Sequence, residues 1–92
     1  MTVTLMWEAR AAEERGAALL DWVLRQGLPA LTESATGLER AEVLAAPEDR
    51  VLVITWWSAD AESGQRPLPV PPADLLGRAP HHWRFHQVQA YP

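Results

Sequence analysis

Residues Arg50–Ser58 read RVLVITWWS, and this stretch decides the fold. Val51, Val53 and Trp57 take one side of an extended chain, and Leu52, Ile54 and Trp56 take the other, because successive side chains on a strand point to opposite faces. Both sides carry large apolar groups. A strand without a wet face belongs in the interior of a sheet that is covered above and below. Arg50–Ser58 therefore needs a strand along each edge and a layer on each face.

The flanking sequence supplies the candidates. Just upstream, GLERAEVLAA (residues 37–46) puts Arg40 and Glu42 on one face and Ala41 and Val43 on the other; PEDR then forms a tight turn, so the two strands make a hairpin. At the start of the chain, TVTLMWEAR (residues 2–10) alternates, with Val3, Leu5, Trp7 and Ala9 on one side and Thr2, Thr4, Met6 and Glu8 on the other. AAEERGAALLDWVLRQG (residues 11–27) follows with helical spacing, aligning Ala12, Gly16, Leu20, Val23 and Leu24. Gly27, Leu28 and Pro29 form a stop signal, with PALTES adding at most a further short turn. Residues 58–72, SADAESGQRPLPVPP, lack periodicity and are rich in proline, which suggests a stiff extended flap; PADLLGR predicts one short helix after it.

The last stretch, APHHWRFHQVQAYP (residues 79–92), contains all three histidines of the chain. As a helix it would set His82 and His86 one turn apart, close enough to share a metal. As a strand it separates them by about 13 Å. Its Trp, Phe, Val and Tyr favour the strand, which places His82, Arg84 and His86 on one face and Trp83 and Phe85 on the other as the inward payload; no metal site is expected. The order strand, helix, strand, strand, short helix, strand, with right-handed connections, predicts an α+β chain: a single ferredoxin-like domain over residues 1–92, β-α-β-β-α-β, with an antiparallel sheet and helices on one face. The second face then lacks a cover, and a second copy of the chain is the simplest one.

Composition narrows the function classes. The chain has 92 residues, no Cys and a net charge of −4. Disulfides, thiolate catalysis and thiolate metal sites are excluded. The acidic balance, without a basic cluster, argues against a nucleic-acid partner. No apolar run reaches the ~20 residues of a membrane span, so a cytoplasmic protein without a membrane partner is the expectation. All eight basic residues are Arg and there is no Asn, a bias typical of GC-rich bacterial coding sequences. The absence of Lys excludes Schiff-base chemistry and a P-loop lysine. Five Trp in so short a chain suggest a pocket or an interface.

The segment ATGLERAEVLAAPEDRVLVITWWSADAES (residues 35–63), with its Gly entering a strand, its hairpin and its aromatic strand end, resembles the dimeric α+β barrel superfamily, and within it the antibiotic biosynthesis monooxygenase-like branch. With the first strand and long helix, the resemblance covers roughly residues 2–62. It implies a homodimer whose facing sheets enclose a cavity for a planar hydrophobic, aromatic polyketide-like molecule, and a possible cofactor-independent oxygenation. Trp56 or Trp57 matches the family's cavity Trp by strand position, whereas the Asn that accompanies it there has no counterpart. Haem-degrading relatives use an Asn, Trp and His set, so haem is the one cofactor the resemblance raises. The expected site comprises Trp7, Trp56 and Trp57 as substrate-stacking residues and His82, Arg84 and His86 as catalytic residues, Arg84 for an anionic or enolate oxygen and a His as base. The competing expectation is a non-catalytic dimeric binding or structural protein whose aromatics serve as core and interface.

Overall fold

The structure, a computed structural model, describes residues 2–58 and 64–91. Four strands, β1 (Thr2–Arg10), β2 (Leu38–Ala46), β3 (Arg50–Ser58) and β4 (His81–His86), form one antiparallel sheet in the order β2-β3-β1-β4. Between β1 and β2 lies a helical rod: α1 (Gly16–Trp22), a π-helical turn (Val23–Gly27) and α2 (Leu28–Ser34). The architecture is α+β and fits a ferredoxin-like fold, with the two most apolar strands, β1 and β3, at the centre as their composition requires.

One face of the sheet carries the core. Val3, Leu5, Trp7 and Ala9 of β1 and Val51, Val53 and Trp57 of β3 are all buried beneath Leu19, Trp22, Val23 and Leu31 of the rod. Thr55 lies among them, only 3% exposed. Its hydroxyl accepts the Trp57 indole N–H at 2.8 Å and donates to the Leu5 carbonyl at 3.4 Å. A fully buried Trp needs a partner for its N–H, and Thr55 provides one while keeping the β-branched shape that suits a strand.

The rod departs from the sequence expectation in three respects. It starts at Gly16, because Ala11 leaves β1 to bridge Leu76 and the chain then turns through Glu14, at φ 63°. The buried stripe is accordingly Leu19, Trp22, Val23 and Leu31, while Leu24 is half-exposed. The rod also runs through Gly27-Leu28-Pro29 to Ser34 instead of stopping. Proline within a helix lacks a donor and collides with the carbonyl four residues earlier; the π turn before Pro29, closed by the Leu28 N–H on the Val23 carbonyl, widens the helix at that point. The wider turn rotates the chain less per residue, which keeps Leu31 over the sheet. Gly27 is needed for close approach, since a Cβ there would stand 2.6 Å from the Trp22 ring.

Between β3 and β4 the expected second α-helix is reduced, among the described residues, to one 3-10 turn (Ala73–Leu75). The proline-rich segment before it packs on the core rather than acting as a flap: Leu68 and Pro71, three residues apart on one edge of an extended chain, are buried, as is Leu75 in the turn. Backbone bonds from Ala12 N–H to Leu75 O and from Gly77 N–H to Arg10 O, each 2.9 Å, fasten its end.

Candidate functional site

The strand register fixes what shares the uncovered face of the sheet. Thr4 stands opposite Trp56 on one side and Phe85 on the other; Met6 stands between Ile54 and Trp83, and Glu8 between Leu52 and His81. Directly opposed residues of an antiparallel pair point the same way. Trp56, Trp83 and Phe85 thus belong to one open face, and Trp83 and Phe85 are 44% and 49% exposed. A bulge in β2 extends the row. Leu38 pairs with Trp57 and Arg40 with Trp56, so the extra residue Glu39 flips the parity. Leu38 turns to the core while Arg40 turns to the open face, its guanidinium 5.1 Å from the Trp56 ring centroid.

The two ends of this face differ in chemistry. Near the hairpin, Glu8 is held by Arg78 and lies 3.9 Å from Arg50, and Arg10 lies 4.0 Å from Glu48. At the opposite end an open hollow of about 390 Å³ lies between Trp56 and Phe85. Thr4 and Met6 form its floor, and His86, Gln87, Gln89 and Ala90 border it where β4 runs out. Two strand spacings separate Trp56 from Phe85, roughly 9.5 Å. Rings at that separation, over an apolar floor with one hydroxyl, suit a flat hydrophobic body.

The sequence-expected residues divide between the two faces. Trp56 lines the hollow. Trp57 is fully buried and Trp7 is 3% exposed, both beneath the rod, which corrects their assignment to a substrate surface: odd-numbered residues of β1 and β3 face the core. His82, Arg84 and His86 pair with Trp7, Leu5 and Val3 and so lie on the core side of the sheet, at an edge that the shortened β3–β4 connection leaves uncovered. Of the three, only His86 borders the hollow, where the strand ends. Trp83 and Phe85 are therefore on the open face rather than inside, a second correction with the same cause. β4 itself is a strand, and among the described residues no three His, Asp or Glu side chains come together as a metal set. His81, absent from the expected site, packs its ring 5.9 Å from Trp83 on the open face. Strand alternation alone could have placed it there.

Neither a family model nor a curated relative matches the sequence. A likeness appears at the level of structure. The crystal structure of a protein of unknown function from Nitrosomonas europaea superposes with a TM-score of 0.72 at 17% identity, covering 99% of this chain and 93% of that one. At that identity the likeness concerns the fold, and it extends over the whole sheet and rod. No helix among the described residues is long and apolar enough to cross a membrane.

Proposed function

We propose that the chain is an antibiotic biosynthesis monooxygenase-like protein of the dimeric α+β barrel type, whose homodimer holds a planar hydrophobic molecule between two facing sheets. The observation that carries this reading is the hollow between Trp56 and Phe85 on a sheet face over which no layer lies among the described residues.

Cofactor-independent oxygenation needs a base beside the bound ring, and His86 is the titratable residue at the rim. A non-catalytic binding role is the second reading. It is favoured by the rest of the lining, where Thr4, Met6, Gln87 and Gln89 offer neither acid nor base. Native mass spectrometry of protein purified gently from its host tests the common part: the expected species is a dimer carrying an added mass of a few hundred daltons. A bare monomer would overturn the shared cavity. Aerobic turnover of the identified compound, lost in His86→Ala, separates oxygenase from binding protein.

A further inference from the structure

Two amide side chains at the hollow, Gln87 and Gln89, come from a segment beyond the sheet. Beyond His86, β4 has outrun β1, and after the bond from the Gln87 N–H to the Thr2 carbonyl at 2.9 Å residues 88–91 leave the ladder. They nevertheless stay at the site. Gln87, Gln89 and Ala90 form one side of the hollow, while Val88, between the two glutamines, is 96% exposed. Alternation in an extended chain explains this division, since Gln87 and Gln89 share one side and Val88 takes the other.

The chemistry of the wall is specific. Met6, Trp56 and Phe85 offer no strong hydrogen bond toward a ligand's edge, apart from the indole N–H of Trp56. Each Gln amide offers a donor pair and an acceptor without a net charge, and Thr4 adds a hydroxyl. No Arg is on the lining, and Arg40, against the Trp56 ring, is already paired with Glu42, so an anion would enter an apolar site at an unfavourable desolvation cost. Resting on the reading of the hollow as a ligand site, we infer that Gln87 and Gln89 are its specificity-determining residues, and that they select an uncharged planar aromatic molecule carrying hydroxyl or carbonyl groups on one edge.

Calorimetric titration with three probes of one shape tests this: naphthalene, 2-naphthol and 2-naphthoate. The hydroxyl compound should bind about tenfold more tightly than the hydrocarbon, the worth of one or two hydrogen bonds, and the carboxylate should bind weakest. In Gln87→Ala/Gln89→Ala the ratio of naphthol to naphthalene affinity should fall from about ten to about one. Both side chains are exposed and make no contact in the core, and circular dichroism checks that the fold is intact. Gln89→Glu gives an independent readout, weakening naphthoate further. Equal binding of naphthol and naphthalene by the wild type, or a preference that survives in the double variant, overturns the role of the glutamines and leaves the hollow as an unselective aromatic site. Failure of all three probes to bind overturns the ligand site itself, and the inference with it.

Discussion

The two faces of this sheet are built from the same strands and have opposite fates. Trp56 and Trp57 are neighbours in β3, yet Trp57 is fully buried with its N–H on Thr55, and Trp56 looks out over a hollow with Arg40 against its ring. The core face is closed by the rod and by the proline-rich connection. The open face has the same aliphatic and aromatic character, and no element among the described residues covers it. Contiguous exposed apolar surface on a folded chain marks a place where something binds. The contrast teaches that hydrophobicity in a strand reports burial of some kind, and that the covering element tells whether the burial belongs to folding or to association.

Substitutions at matched positions test that division. The largest effect is expected from Trp57→Ala, which empties a fully buried site and should cost about 3–5 kcal/mol in denaturant unfolding; Trp56→Ala, at a partly buried ring, should cost clearly less under dilute conditions while abolishing binding at the proposed ligand site. Similar losses at both positions would break the distinction between the faces. Thr55→Val keeps the shape but orphans the Trp57 N–H, with an expected loss of about 1–3 kcal/mol, and an unchanged midpoint would show that the N–H has found another acceptor. The smallest effect is expected from Trp83→Ala. Removal of this half-exposed ring should leave the stability of the dilute chain within about 0.5 kcal/mol but make the proposed dimer dissociate at a higher concentration, which sedimentation velocity would detect.

Much of the fold could be read from alternation. The buried set Val3, Leu5, Trp7 and Ala9 follows directly from TVTLMWEAR, and the central position of β3 follows from its two apolar sides. The helical stripe was less legible. Its phase depends on where the rod begins, and the turn at Glu14 shifts that start to Gly16, while the π turn carries the helix past a Gly-Pro signal that ordinarily ends one. The β3–β4 connection was legible as proline-rich but not as core. Leu68 and Pro71 stand three apart, a period that becomes meaningful only once the chain is known to lie extended against a helix. The candidate site was legible in part: Trp56 and Trp57 were named together with no means of choosing between them, whereas the facing ring Phe85 was assigned inward and the glutamine wall had no sequence signal.

What the sequence by itself determined is the parity of every strand, because side-chain alternation is a property of the extended backbone and needs no partner. Trp56 and Trp57 had to face apart, as did Trp83 and Arg84. Parity does not say which face becomes the core. That was decided by tertiary structure, through the register that sets Thr4 between Trp56 and Phe85, the bulge at Glu39 that turns Arg40 toward the open side, and the packing of one rod and one proline-rich segment on a single face. The physical reason is that a sheet apolar on both sides gains from covering either one, and the lengths and attachment points of the connections choose between them.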